Sequence, residues 1–239
     1  MNTSIRRMCL AALLLCSTGA VQAGIQLSST RVIMNHEQKH VSVFAKNIVA
    51  EPYVVQAWID GAAEEMETPF FITPPLSRFD AGVERRLTIT RVGEGMPQDR
   101  ESYYWINVLE IPQKKNAADN TLSLAMHTRI KLFYRPASVL KQPRGPELLQ
   151  WRLGRDGGAC RLMLHNQSAY TINFARIEIA GEAADFGRTV VALPLATTAV
   201  ALSRCPATDT TQVIAHVVND YGVVEAWPAA TVTPATPAR

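Results

Sequence analysis

The stretch Thr121-Leu122-Ser123-Leu124-Ala125-Met126-His127-Thr128-Arg129-Ile130-Lys131-Leu132-Phe133-Tyr134 alternates with a period of two. Leu122, Leu124, Met126, Thr128, Ile130 and Leu132 share one parity, and Ser123, Ala125, His127, Arg129 and Lys131 share the other. Successive side chains of a strand point to opposite faces, so this pattern describes a long β-strand with an apolar stripe. Two destinations are open to the stripe. It can fill the core of its own domain, or it can form an exposed apolar edge that offers itself to another protein.

The same period recurs on both sides of this stretch. His40 to Ala45 alternates through Val41, Val43 and Ala45, and Arg86 to Val92 through Leu87 and Ile89. Pro52 to Asp60 reads as a buried run, and Glu101 to Ile111 carries Tyr103, Tyr104 and Trp105. A second set of strands is expected at Leu149–Leu153, Cys160–Leu164, Tyr170–Ile179, Ala199–Leu202 and Gln212–Val218. Many short strands between turn residues, with helical periodicity almost absent, give an all-β class built from sandwiches. Between the two sets lies Lys141-Gln142-Pro143-Arg144-Gly145-Pro146. Proline and glycine stop strand pairing there, so the expected domains are residues 24–142 and 143–230. Residues 231–239, rich in Pro, Thr and Ala, are expected to form a disordered tail.

Residues 1–23 read as an export leader. Arg6 and Arg7 precede an apolar run from Met8 to Cys16, and Val21-Gln22-Ala23 has the small-residue pattern of a cleavage site. The apolar run is well short of the ~20 residues a membrane span needs. The mature chain is therefore expected to begin at Gly24, outside the cytoplasm. Removing the leader's two arginines from 24 basic residues leaves 22 against 21 acidic ones, a net charge of +1. That balance gives no support to a nucleic-acid or membrane-surface role. Of four cysteines, Cys160 and Cys205 remain. In an exported protein they read as one disulfide, with two free buried thiols as the alternative.

Enzyme chemistry finds no support in the sequence. There is no phosphate loop, no nucleophile elbow and no metal-binding histidine pair on a helix. His36 and His40 flank a turn and read as surface residues; Glu64, Glu65 and Glu67 read as a solvated loop. Asn166-Gln167-Ser168 is a weak glycosylation triplet. No cofactor and no metal are expected. Two cations, Arg31 and Lys131, stand among β-branched and aromatic neighbours. Such a position is costly unless the cation is paired or reaches water. An internal ion pair or a side chain that snorkels to water explains it, and so does an anchor for an anionic group such as a chain terminus.

Several strings together resemble the PapD-like periplasmic pilus chaperones. They are Ser29-Thr30-Arg31-Val32-Ile33, Thr73-Pro74-Pro75-Leu76-Ser77-Arg78, Pro97-Gln98-Asp99-Arg100-Glu101-Ser102 and Asn107 with Ile111-Pro112. The most specific is Arg129-Ile130-Lys131-Leu132-Phe133-Tyr134-Arg135-Pro136, and Asn219-Asp220-Tyr221-Gly222 matches further on. The resemblance implies two immunoglobulin-like β-sandwich domains set at an angle, with a cleft between them. It implies that Arg31 and Lys131 hold the C-terminal carboxylate of a bound pilus subunit. Leu122, Leu124 and Met126 would lend that subunit the strand its own sandwich lacks. Glu101, Arg135 and Asp220 would bridge the two domains. The segment between Pro112 and Leu122 is short and lacks cysteine, like the family branch with a short loop before the donor strand. The implied partners are fimbrial subunits and an outer-membrane usher, in the periplasm, with self-association when free. A secreted structural or ligand-binding protein of a surface structure is the alternative. One difficulty stands: Lys131 has the opposite parity to the stripe, so one flat strand cannot present both to one face.

Overall fold

A computed structural model describes residues 24–113, 124–156, 159–184, 190–208 and 210–235. The leader and Leu122 lie outside the described residues. The first domain contains β1 (Ile25–Leu27), β2 (Arg31–Asn35), β3 (His40–Asn47), β4 (Tyr53–Asp60), β5 (Phe70–Thr73), β6 (Leu76–Phe79), β7 (Glu84–Arg91), β8 (Ser102–Pro112) and β9 (Met126–Arg135). They form two sheets, β1-β3-β7-β5 and β2-β9-β8-β4-β6. Alternation decides which side chains meet between them. Val43, Leu87, Ile89, Ile106, Leu132 and Met34 are completely buried there. Each such side chain contributes about 1.5–3 kcal/mol through burial.

The second domain contains β10 (Leu149–Asp156), β11 (Ala159–Asn166), β12 (Ile172–Ile179), β13 (Glu182–Ala183), β14 (Val190–Ala192), β15 (Ala196–Leu202), β16 (Thr211–Val218), β17 (Val224–Ala226) and β18 (Ala230–Pro234). β10, β11 and β15 make one layer, and β12 to β14, β16 and β17 the other. β18 links them, pairing antiparallel with β16 and parallel with β10. Trp151 meets Phe174 edge-on in the second core, at 5.8 Å between ring centres.

β18 corrects one expectation. Residues 231–234 are not a disordered tail: they are strand, and Val232 is completely buried in the second core. One well-placed apolar residue with backbone pairing on both sides outweighs a composition that suggests disorder. The triplet at Asn166 is corrected too. Asn166 is completely buried, its amide donating to the carbonyls of Tyr170, Ala192 and Leu193, so it presents no acceptor for a glycan.

Cys160 and Cys205 are joined, with Cα atoms 5.4 Å apart and a sequence separation of 45. Closing a loop of that length restricts the unfolded chain. Replacing both cysteines by serine is expected to destabilise the second domain by about 2–4 kcal/mol, read as an earlier urea transition of that domain.

Candidate subunit-binding site

β9 resolves the parity difficulty by doing different things on its two faces and at its two ends. Ile130, Leu132 and Tyr134 point into the first core and are at most 7% exposed. Arg129, Lys131, Phe133 and Arg135 occupy the other face, from which Lys131 and Arg135 reach the second domain. The same stripe that is core at one end is open at the other: Leu124 is 64% exposed and Met126 45%. Pairing changes along the strand as well. β8 accompanies β9 from Met126 to Tyr134, but β2 pairs only with Lys131 to Arg135. Among the described residues, Met126 to Ile130 therefore has one free backbone edge, ready to accept another strand.

Where that open edge ends, two cations stand side by side. Arg31 on β2 and Lys131 on β9 are direct partners in a parallel ladder and share a face. Both reach the second domain. Arg31 Nη1 donates to the Val218 carbonyl at 3.1 Å, and Lys131 Nζ donates to Asn173 Oδ1. Lys131 sits between Tyr103 and Trp105, 5.2 and 5.3 Å from their ring centres, and Arg31 lies 5.8 Å from the Phe133 ring. Arg129 packs over Trp105 and pairs with Glu64 at 2.7 Å. Burial, with the neighbouring Arg31 charge adding to it, lowers the Lys131 pKa to about 8. Burial lowers that of Arg31 as well. Arg31 Nε is buried without a partner. Two half-buried cations, both held below their ordinary pKa by burial and one of them also by its neighbour's charge, with a spare donor, form a site that an incoming carboxylate would relieve.

Beside this pair the domains are fastened together. Arg135 Nε donates to Glu101 Oε1 at 2.6 Å, and its two terminal nitrogens donate to Asp220 at 2.6 and 2.7 Å. Arg144 adds a bond to Asp220 at 2.5 Å. Glu101 Oε2 accepts from the Thr171 amide at 2.8 Å, and Tyr170 donates to the Val139 carbonyl at 2.7 Å. Burial alone would raise the Asp220 pKa, but the bonds from Arg135 and Arg144 outweigh it and hold it at about 2. Arg144 and Tyr170 were not singled out from the sequence. Arg144 was hidden inside the linker string, where composition gives no sign of a partner 76 residues away.

Comparison with known proteins agrees with this architecture. Residues 24–140 match the family described as Pili and flagellar-assembly chaperone, PapD N-terminal domain. Residues 145–227 match Pili assembly chaperone PapD, C-terminal domain. The chain belongs to the PapD family of pilus-assembly chaperones. That family comprises chaperones and not enzymes, and its fold is a pair of immunoglobulin-like domains. The chaperone protein LpfB of Salmonella typhimurium strain LT2 is 34% identical over 235 residues, covering 93% of this chain and 95% of the relative. The probable fimbrial chaperone LpfB of Escherichia coli O157:H7 is 40% identical over 169 residues, covering 69% of this chain and 71% of the relative. Among solved structures, the YadV chaperone matches with a TM-score of 0.74 and 30% identity, over 87% of this chain and all of that one. The SafB chaperone of Salmonella enterica, solved in complex with the pilin SafA, matches with a TM-score of 0.74 and 25% identity, over 86% of this chain and 95% of that one.

Among the described residues, no three His, Cys, Asp or Glu side chains gather as metal ligands, and no helix is long and apolar enough to cross a membrane.

Proposed function

We propose that this PapD-family member is a periplasmic chaperone that caps pilus subunits by lending them a β-strand and passes them to an outer-membrane usher. One observation carries the reading: a free strand edge that begins at exposed Met126, with exposed Leu124 just ahead of it, ends at the Arg31–Lys131 pair. A subunit strand added along that edge would bury the apolar stripe and bring its C-terminal carboxylate to the two cations. Backbone pairing supplies affinity, the stripe supplies the groove contacts, and the charged end fixes the register. Leu122 extends the same parity and is proposed as a third groove contact. The Glu101–Arg135–Asp220 network is proposed to fix the angle at which the second domain faces the site. Residues 1–23 are proposed to be removed on export, leaving domains at 24–142 and 143–230.

The test is capture. Tagged protein is purified from the periplasm of a pilus-expressing host, wild type beside Leu124→Ser, and co-purifying proteins are identified by mass spectrometry. Wild type is expected to hold a small secreted β-rich subunit at about 1:1 stoichiometry, the ratio implied by one donor edge per chain. Leu124→Ser is expected to weaken capture roughly 10- to 100-fold, the loss of one buried apolar side chain. Its melting temperature is expected to stay within a degree or so, because Leu124 is exposed in the free protein. Unfolding of the variant would instead make the stripe core.

A further inference from the structure

Glu110 closes one end of the first core on β8, the position opposite Met126 of the donor edge. Its alternation places it among Ile106 and Val108, and it is only 1% exposed. An ionised carboxylate this deep needs a countercharge or a full set of donors. Among the described residues no cation reaches it. Oε2 accepts from the Gly24 nitrogen at 3.0 Å. Oε1 is buried with no partner at all.

Gly24 is held tightly at this spot. Its carbonyl accepts from the Ile48 amide at 2.9 Å. A Cβ added to it would lie 2.7 and 2.9 Å from two ring carbons of Tyr53, so the place takes a residue without a side chain. Gly24 is also the residue that follows the Val21-Gln22-Ala23 cleavage pattern. Hydrolysis of the Ala23–Gly24 bond adds water: the carboxylate leaves with the leader, and the Gly24 nitrogen takes up protons as an α-ammonium. A neutral amide with one hydrogen thus becomes a cation with three, beside a buried carboxylate that has one oxygen unserved.

We propose that Glu110 is the receptor for the mature amino terminus, so that removal of the leader creates a buried Gly24–Glu110 ion pair and completes the first domain next to the donor edge. The proposal rests on the export-leader reading. It gives the precursor a first domain that is less stable than the mature one.

Intact mass of the periplasmic protein is expected to show a chain that begins at Gly24, and any other start overturns the proposal. Competitive acetylation of the folded mature protein is expected to give the α-amine a pKa above the ~8 of an unpaired terminus. A value at or below that overturns it, and this measurement needs no variant. Glu110→Gln in the mature chain, and a chain starting one residue earlier released from a cleavable fusion, are each expected to lower the melting temperature by roughly 5 °C. Combined, they are expected to cost little more than either alone, since both remove the same pair. Fully additive losses would show two unrelated effects and refute the pairing.

Discussion

Lys131→Glu is expected to abolish subunit capture, with a loss of roughly 100-fold or more in affinity, and to leave the chaperone folded. The fold tolerates the change for a local reason. Asn173, which accepts from Lys131, also has a buried Nδ2 without a partner, and that donor can serve a carboxylate at position 131. Arg31, the direct neighbour across the ladder, gains an internal counterion. The same event disables the site twice: one cation becomes an anion, and the other is neutralised from within. An arriving carboxylate then meets net repulsion at the point that sets its register. The check is isothermal titration with a purified subunit or its C-terminal peptide, beside circular dichroism of the variant. A folded variant that binds normally would show that the pair is a structural bridge to the second domain and no anchor. pH supplies an independent reading. The free Lys131 pKa is about 8, and a bound carboxylate raises it. The complex therefore holds more protons than the free protein above that value, and affinity falls as pH rises past about 8. Lys131→Arg keeps its charge throughout and is expected to flatten that fall.

The sequence showed the strands because a half-buried sheet writes its faces into every second residue. Val41, Val43 and Ala45, or Leu87 and Ile89, needed no partner to be read. It showed the two ends of the apolar stripe, which starts ahead of β9, less well. Leu124 and Leu132 have the same parity and the same chemistry, yet one is 64% exposed and the other fully buried. What separates them is where β2 stops pairing, a long-range fact that alternation does not contain. The two cations stood out as misfits in apolar strands, but their roles as neighbours came from family resemblance. Asn173 and Arg144, which complete the site, looked ordinary because their partners lie 42 and 76 residues away. Glu110 is as much a misfit as Lys131, an acid at the parity of Ile106 and Val108, but alternation alone does not show the Gly24 nitrogen that meets it 86 residues away.

Arg135→Ala is expected to have the largest effect on stability, a loss of about 3–5 kcal/mol. Arg135 and Glu101 side chains are 10% and 1% exposed, and Asp220 is 31% exposed. Removing the arginine leaves Glu101 as a buried charge that keeps only the Thr171 amide, and leaves Asp220 with Arg144 alone. The loss is mainly the penalty of that stranded carboxylate, so Arg135→Met combined with Glu101→Gln is expected to be milder than Arg135→Ala by itself. Because the three partners come from both domains, the single variant is also expected to uncouple them: calorimetry would change from one transition to two. A single sharp transition at the wild-type temperature would mean that the domains are held by Tyr170, Arg31 and the remaining contacts, and that the ions are ornamental to stability. The sign of the acid dependence follows from Asp220. Its folded pKa is lowered to about 2 from an ordinary 3.8, so its contribution is fully present above about pH 4 and disappears as pH falls toward 2. Wild type is thus expected to lose interdomain coupling across that window, whereas Arg135→Ala should already lack most of it at neutral pH. Subunit capture links the two sets of residues, because Lys131 and Arg135 are four residues apart on one face of β9, with Phe133 between them. A variant that keeps Lys131 and Leu124 but lets the second domain swing should bind more weakly, with the loss appearing as a less favourable binding entropy, since the site must then be ordered each time a subunit arrives.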